Sequence, residues 1–278
     1  MFGLLKQIEL DISVRNIWFD EWRLHLSRVK VSVQNVSKTY RTKNGNRIEA
    51  LNDVSFEVFE QELLCVIGPN GCGKTTLLRT IAGLEKPTSG QVLIEGQEAK
   101  TGKAGLIFQE FSLFPWRRVI DNVKFGLEIS GVEEDESRKV AEKYMDLVGL
   151  SEFKHIYPHE LSEGMKQKVA IARALAVNPS VLLLDEPFAF LDAQTRNLMQ
   201  DELFRIWEHE KKTAIFVTHN VDEAVYLADR IVVLTARPGR VKVTCNIELD
   251  RPRRRTSQPF VKKREQILKL LKEEVIPP

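Results

Sequence analysis

Eight consecutive residues have the pattern of a loop that binds phosphate groups. They fit the motif GxxxxGK[ST] and lie between an apolar run, residues 63–67, and a run with helical patterning, residues 76–82. Glycines let backbone N–H groups turn inward around phosphate oxygens, a helix start adds a favourable dipole, and Lys74 can reach the outer phosphates. The flanking elements favour this function over a chance glycine-rich turn. The expected phosphate-binding residues are Gly68, Pro69, Asn70, Gly71, Cys72, Gly73, Lys74, Thr75 and Thr76.

A second group of reactive residues follows an apolar run, residues 181–184, which ends in Asp185 and Glu186. Hydroxyl and carboxylate oxygens are suitable ligands for Mg²⁺, so we expect Thr75 and Asp185 to hold that ion beside a bound triphosphate. Glu186 is then placed to polarise a water that attacks the γ-phosphate. The alternative is a strand that merely ends in charged residues, and the neighbouring phosphate motif disfavours it.

Between these two motifs lies Leu161-Ser162-Glu163-Gly164-Met165, here called the signature segment. With this segment in place, the chain resembles the ATPase subunits of ABC transporters from about residue 30 to residue 278. The resemblance implies an α/β fold: a P-loop NTPase of ABC type, with a mixed β core, an antiparallel β subdomain and an inserted helical subdomain. It also implies ATP and Mg²⁺ as ligands.

Four further residues match this family in the correct order. The resemblance implies that Tyr40 stacks on adenine, that Gln109 senses Mg²⁺ and the attacking water, and that Asp192 belongs to the D-loop. It implies that His219 contacts the γ-phosphate. Taken singly, Tyr40 could be a surface aromatic at a strand end, Gln109 a polar loop residue, and His219 a cap before Val221.

The chain departs from the family pattern at two places. Glu163 replaces the first glycine of the signature segment, and residues 188–192, Phe-Ala-Phe-Leu-Asp, are bulkier than the family's small residues. We expect Ser162 to cap a helix that begins at Glu163. A carboxylate in that first turn would repel phosphate if it pointed inward, so we expect Glu163 to point away from the nucleotide.

In this family the signature segment of one subunit closes over the nucleotide bound to another. Because this chain has one copy of each motif, the resemblance implies a head-to-tail homodimer with two ATP sites. The catalytic residues would be Lys74, Gln109, Glu186 and His219, with Ser162, Gly164 and Asp192 completing each site. Cys72 lies near a helix start, an environment that lowers a thiol pKa, so it is either a reactive thiol or an inert small residue.

The elements that must position these residues follow from patterning. Alternating apolar residues from Val29 and the turn Asn44-Gly45 predict an antiparallel β opening. Solid apolar runs at 63–67, 181–184, 214–217 and 231–234 predict strands of a parallel sheet buried on both faces. Helical patterning predicts helices at 133–148, 163–177 and 259–275. We therefore divide the chain into an extension of unknown role (1–28), an ATP-binding domain (29–250, helical subdomain about 115–178) and a basic helical tail (251–278).

Composition excludes several other classes. The 278 residues are 43% hydrophobic and 29% charged, which is typical of globular proteins rather than disordered ones. A net charge of +2 does not indicate nucleic-acid binding, although the tail alone has nine basic and three acidic residues. Three cysteines without a CxxC pair favour a reducing compartment. We find neither a signal peptide nor an apolar run near the roughly 20 residues of a membrane span.

A second resemblance concerns what the ATPase powers. Residues 111–125, with Pro115-Trp116-Arg117, and residues 235–240, Thr-Ala-Arg-Pro-Gly-Arg, look like the nitrate, sulfonate and taurine importers. That implies a peripheral protein on the cytoplasmic face of the membrane, bound to integral membrane permease subunits and indirectly served by an extracytoplasmic solute-binding protein. Phe111, Leu113, Phe114 and Trp116 would receive a permease helix, with core packing as the alternative reading.

Alternatives outside transport remain open at this point. One is a soluble ABC-type ATPase that acts on nucleic acid or ribosomes, and another is a nucleotide-gated regulator without useful turnover. We interpret Arg253-Arg254-Arg255 as a solvated basic turn rather than a contact to phosphates or anionic lipid. Residues 8–14 alternate as a strand would, and the extension is an edge strand, a membrane-surface anchor or the product of a misplaced start codon.

Overall fold

The computed structural model describes residues 28–275. Its strands are β1 (Val29–Arg41), β2 (Arg47–Phe59), β3 (Leu63–Ile67), β4 (Ser89–Ile94), β5 (Gln97–Glu98), β6 (Ala104–Ile107), β7 (Val181–Asp185), β8 (Thr213–Thr218), β9 (Arg230–Leu234) and β10 (Val241–Asn246). Its α-helices are α1 (Lys74–Ile81), α2 (Val119–Ile129), α3 (Glu134–Leu147), α4 (Glu163–Ala176), α5 (Ala193–Glu210), α6 (Val221–Leu227) and α7 (Gln258–Val275). The alternating pattern at residues 8–14 lies outside the described residues.

The first strands form an antiparallel sheet in the order β2-β1-β4-β5. β1 pairs with β2 through Tyr40 opposite Ile48, and the turn between them places Gly45 at a φ of 82°, which glycine adopts without steric cost. Val31 and Val33 are buried on the inner face. The predicted antiparallel opening is confirmed.

The second sheet has the order β10-β9-β3-β8-β7-β6, with parallel pairing throughout except between β10 and β9. In β3, Leu63 and Cys65 pack into the core that includes α4, whereas Leu64 and Val66 pack into the core beneath the antiparallel sheet. Because both faces are covered, the strand sequence is continuously apolar rather than alternating. The four predicted strands are confirmed, each within one residue at either end.

Three helices, α2, α3 and α4, lie between β6 and β7 in the sequence and pack on one another. Their apolar faces join the larger core through residues such as Val123, Met145 and Ile171. The helices predicted at 133–148 and 163–177 are observed as α3 and α4. Among residues 28–275 no helix combines the length and apolarity needed to cross a membrane.

The C-terminal helix α7 packs on the main body through Phe260 and Ile267, which are buried. The segment before it corrects one interpretation. Arg253 is not in a solvated turn: only 8% of its surface is exposed, and its guanidinium donates to main-chain oxygens that include those of Val225 and Ala228. Arg255 lies over the ring of Tyr226, 3.5 Å from its centroid. At least two of the tail's basic side chains, Arg253 and Arg255, therefore attach the tail to the main body.

Candidate functional site

The phosphate-loop residues, 68–75, connect the end of β3 to the first turn of α1. Gly71 and Gly73 have φ values of 77° and 100°, a region in which other residues are strained. At Gly73 a Cβ would also lie 2.6 Å from the carbonyl oxygen of Ala50. The glycines are thus needed for the backbone path that turns the loop into the helix.

Lys74 is the first residue of α1 and is almost completely buried. Its Nζ donates to the carbonyl oxygens of Gly68 and Pro69 at 3.0 and 3.1 Å, and lies 3.9 Å from Glu186 Oε1. The ammonium group is therefore held inside the curve of the loop, where phosphate oxygens would meet it.

Asp185 and Glu186 lie at the carboxyl end of β7, beside the phosphate loop. The Thr75 hydroxyl donates to Asp185 Oδ1 at 3.2 Å. Burial raises the pKa of Asp185, an effect that the Thr75 hydrogen bond opposes. Glu186 has a φ of 44°, an uncommon conformation for a residue with a side chain, and such conformations cluster at functional sites.

His219 follows β8 and joins the same group: its Nδ1 lies 2.7 Å from Glu186 Oε2. The capping interpretation of His219 is wrong, because Asn220 caps α6 by accepting from the N–H groups of Asp222 and Glu223. β7 and β8 are neighbours in the sheet, so residues that follow their carboxyl ends meet at one edge.

Tyr40, near the end of β1, lies beside the first turn of α1. Its hydroxyl donates to Glu85, and it is 3.3 Å from Thr76 Oγ1. Burial, followed by the Glu85 hydrogen bond, raises the pKa of this phenol. Tyr40 is therefore fixed beside the loop, and its stacking on adenine stays a prediction.

Gln109 follows β6, which pairs with β7 in the sheet. Its side chain is exposed and makes no hydrogen bond to any residue in the described range 28–275. It follows the same sheet edge as Asp185, and no hydrogen bond joins these two residues, so its role at the ion stays a prediction.

Ser162, Gly164 and Asp192 form a separate group. Ser162 caps α4 by accepting from Met165 N at 3.3 Å, as expected, and Asp192 caps α5. A Cβ at Gly164 would lie 3.2 Å from Thr195 Cγ2, so this glycine lets α4 approach α5. Within the described part of the chain, no hydrogen bond links this group to Lys74 or Glu186.

Cys72 does not have the environment of a reactive thiol. Its side chain is fully buried, and that burial raises its pKa more than the nearby Lys74 lowers it. The expectation of a lowered pKa is wrong because desolvation outweighs the helix dipole and the neighbouring ammonium group. Cys65 is buried in the same way, whereas Cys245 is only partly buried.

We predict that a maleimide at neutral pH labels at most Cys245 in the folded protein and all three cysteines in denaturant, since thiolate character and access control the reaction. Intact-mass spectrometry with and without MgATP measures the number of labels. Fast labelling of Cys72 that MgATP slows would contradict this prediction.

One contact at the loop was not foreseen. Arg237, between β9 and β10, donates from Nε to the carbonyl oxygen of Gly71 at 3.0 Å. The two residues are 166 positions apart, so no local pattern connects them. The only hint in the sequence is the segment 235–240, which we noted for its resemblance to one importer subgroup.

Comparisons with known proteins agree with this geometry. The family model for ABC transporters matches residues 51–189. An uncharacterized ABC transporter ATP-binding protein of Methanocaldococcus jannaschii is 55% identical over 251 residues, covering 90% of this chain and 94% of that protein. The aliphatic sulfonates import ATP-binding protein SsuB of Bacillus thuringiensis is 43% identical over 240 residues, covering 86% and 94%.

Solved structures give the same result. A dimeric ATP-binding cassette in a post-hydrolysis state with bound ADP and Pi superposes with a TM-score of 0.69 at 33% identity, covering 79% of this chain and all of that one. The cbiO1 subunit of an ABC transporter complex of Clostridium perfringens gives a TM-score of 0.71 at 27% identity, covering 90% and all of that chain. The chain therefore belongs to the ABC transporter family, as an ATP-binding subunit with the P-loop ABC fold that hydrolyses ATP.

Proposed function

We propose that the chain is the ATPase subunit of an importer that takes up a small anion, of the nitrate, sulfonate or taurine class, through separate membrane subunits. The observation that carries this proposal is the 43% identity to an aliphatic sulfonates import protein over 86% of the chain. The resemblance of residues 111–125 and 235–240 to that importer subgroup supports it.

The proposed ATP site uses the two groups of residues described above. Tyr40 would stack on adenine, and the phosphate loop with Lys74 and Thr76 would bind the phosphates. Because Ser162, Gly164 and Asp192 make no hydrogen bond to the Lys74 group within the described residues, we propose that they serve the site of a second copy. The arrangement is then a head-to-tail homodimer, and the dimeric state of the neighbour that holds ADP and Pi supports dimerisation.

Mg²⁺ fits the oxygen donors that meet where β7 ends beside the start of α1. Thr75 Oγ1 and Asp185 Oδ1 lie 3.2 Å apart, and Mg²⁺ in nucleotide sites is bound by one or two protein oxygens together with phosphates. We propose Thr75, Asp185 and Gln109 as the residues that would hold it. The ion would neutralise charge on the phosphate oxygens.

Glu186 is the proposed general base for the attacking water. His219 holds one of its carboxylate oxygens at 2.7 Å, which leaves the other near Lys74 at 3.9 Å. The carboxylate is thereby oriented between a cation and an imidazole, and it can accept a proton at a fixed position.

The proposed permease contact is the docking loop, defined as residues 111–116. Side chains of α4 and α2 hold its backbone. Arg173 donates to the Phe111 and Ser112 carbonyl oxygens at 3.0 and 2.6 Å, and Asn122 accepts from Phe114 N at 2.7 Å. Trp116, the last residue of the loop, is 73% exposed. An exposed indole on a rigid loop suits burial against a membrane subunit at the cytoplasmic face of the membrane.

We predict that Trp116→Glu abolishes co-purification with the membrane subunits and leaves the ATPase rate of the isolated protein unchanged. The reason is that Trp116 contacts a partner rather than the ATP site. The matched control is Ile129→Glu: Ile129 is 71% exposed but lies at the other end of α2, about 15 Å along the helix. Affinity purification of the co-expressed complex and a phosphate-release assay measure the two effects.

The same experiment separates the alternatives. Unimpaired co-purification of the Trp116→Glu protein would contradict the docking proposal. A wild-type protein that hydrolyses ATP but never co-purifies with a membrane protein would favour a soluble ATPase.

A further inference from the structure

Arg237 lies directly against the middle of the phosphate loop. Besides the hydrogen bond from Nε to Gly71 O at 3.0 Å, its Nη2 lies 3.0 Å from the position that a Cβ on Gly71 would take. The guanidinium therefore covers the outer side of the loop at the residue where the loop has no side chain of its own. Arg237 belongs to the segment 235–240 that resembles one importer subgroup, but the ATP chemistry proposed above assigns no role to this residue.

The segment that carries Arg237, residues 235–240, is called the bracket loop here. It is fixed to β2 because Gly239 donates to Ala50 O and accepts from Asn52 N, both at 3.0 Å. A Cβ at Gly239 would lie 2.1 Å from the carbonyl oxygen of Cys72, so the bracket loop packs against the phosphate loop backbone to backbone. Arg237 thus extends from a rigid support rather than from a free loop.

The C-terminal helix holds the other side of the bracket loop. Ala236 N donates to Glu274 Oε2 at 3.0 Å, and Lys242 forms ion pairs with Glu273 and Glu274 at 2.9 and 2.7 Å. Glu274 is in the last turn of α7, so the bracket loop is clamped between α7 and β2.

The hydrogen bond to Gly71 determines how one peptide of the phosphate loop is oriented. The C=O and N–H groups of a trans peptide point in opposite directions, so a Gly71 carbonyl held toward Arg237 aims the N–H of Cys72 into the loop. That N–H now makes a hydrogen bond to Pro69 O at 3.3 Å. Gly71 alone would permit the reverse orientation, because glycine is conformationally free, and the loop would then present a carbonyl oxygen to phosphate.

We propose that Arg237 is a positioning residue for ATP binding, which holds the Gly71–Cys72 peptide with its N–H directed at the phosphates. This inference rests on the proposed ATP site at the phosphate loop. It concerns nucleotide affinity and not the chemical step. Arg237 donates to Gly71 of the phosphate loop, whereas the proposed catalytic pair, Glu186 and His219, is joined by a separate hydrogen bond.

We predict that Arg237→Ala raises both the Kd of a fluorescent ATP analogue and the KM for ATP about fivefold or more, with kcat within about twofold, because a charge-assisted hydrogen bond is lost. Arg237→Lys should recover part of the affinity. Arg240→Ala is the matched control: Arg240 is an exposed arginine of the same loop. Its side chain has no hydrogen bond or ion pair within residues 28–275, so we expect wild-type values.

Lys74→Ala serves as the reference for the site itself. If Lys74→Ala loses ATP binding while Arg237→Ala binds as tightly as wild type, the inference is overturned and the proposed site stands. If Lys74→Ala also binds normally, the proposed site fails. Equal losses in Arg237→Ala and Arg240→Ala, or a fall in kcat without a change in KM, would likewise overturn the role of Arg237. Thermal unfolding of each variant shows whether a loss of ATP binding is caused by misfolding. If Arg237→Ala does not fold, the ATP affinity of Arg237→Lys tests the role of Arg237 instead.

Discussion

Glu186→Gln is expected to lower ATP turnover about 100-fold or more while leaving ATP affinity within about twofold. In the presence of ATP the variant should elute as a dimer, because nucleotide that is not cleaved keeps the two copies together. In the absence of ATP it should elute at the same position as the wild type.

The physical reason lies in what the amide keeps and what it loses. Glutamine has nearly the same shape as glutamate, so the strained backbone at this position and the packing around it are retained. It can still donate to or accept from His219, which lies 2.7 Å from the carboxylate. It cannot take a proton from water at neutral pH, so only the proposed general-base step is removed.

The measurements are a phosphate-release assay, equilibrium binding of a fluorescent ATP analogue, and gel filtration with light scattering. Glu208→Gln is the matched control, because Glu208 is an exposed carboxylate on α5 and should behave like wild type in all three. Wild-type turnover in Glu186→Gln, or a monomer at saturating ATP, would contradict the mechanism.

The strands, the phosphate loop and one helix cap could be predicted from the sequence because each depends on residues that are close together in the chain. β3 and β7 could be predicted because burial on both faces requires continuous apolar residues, as at Leu64 and Leu183. The phosphate loop could be predicted because its glycine spacing and its flanking strand and helix are contiguous. Ser162 could be predicted as a cap because capping is decided within four residues.

The same rules failed where the role of a residue depends on its burial or on a neighbour that is distant in the sequence. At Cys72 the helix start predicts a lowered pKa, but the side chain is buried in the apolar core beneath the antiparallel sheet, and desolvation is the larger effect. At His219 the position before a helix allowed a capping role. Asn220 takes that role, and the imidazole pairs with Glu186, which is 33 residues away in the sequence.

Long-range contacts of arginine were beyond prediction. Arg253 stands in a segment interpreted as a solvated turn, yet it is buried and donates to the distant carbonyl of Val225. Arg237 is exposed, and it too donates to a distant carbonyl, that of Gly71. A guanidinium has five donors on a long side chain, so its partners depend on the tertiary fold and not on sequence spacing.

The second large effect is expected at Arg253. Arg253→Met should lower the free energy of unfolding by about 3 kcal/mol or more, which corresponds to a fall in Tm of about 5 °C or more for a chain of this size. Arg254→Met is the matched control, because Arg254 is the exposed neighbour in the same turn and should be close to neutral.

The size of this effect follows from the acceptors of Arg253. Its guanidinium donates to five carbonyl oxygens, those of Leu249, Val225, Tyr226, Ala228 and Ile247. Three of these belong to the C-terminal turn of α6 and the residue after it, where helix carbonyls have no partner within the helix and the dipole favours a cation. Methionine fills a similar volume but donates to none of them, so buried acceptors lose their hydrogen bonds.

Burial, with neighbouring Arg251, lowers the pKa of Arg253 to about 10, so the guanidinium remains charged at neutral pH and its positive charge is part of the contact. Asp229, which is buried nearby and accepts from Leu63 N, would therefore lose a compensating charge in Arg253→Met, although its ion pair with Arg251 at 3.1 Å would remain.

Arg253→Lys tests whether charge alone is sufficient: an ammonium has three donors and cannot reach five carbonyls, so it should recover only part of the loss. Urea unfolding followed by circular dichroism gives the free energies, and the slope with denaturant should stay the same if the native fold is retained. Because α6 begins two residues after His219, a destabilised helix end should also raise the KM for ATP. Expressed as free energy, that rise should be smaller than the loss of stability. Equal stability of Arg253→Met and Arg254→Met would show that the guanidinium contacts contribute nothing and would return the basic segment to a solvated turn.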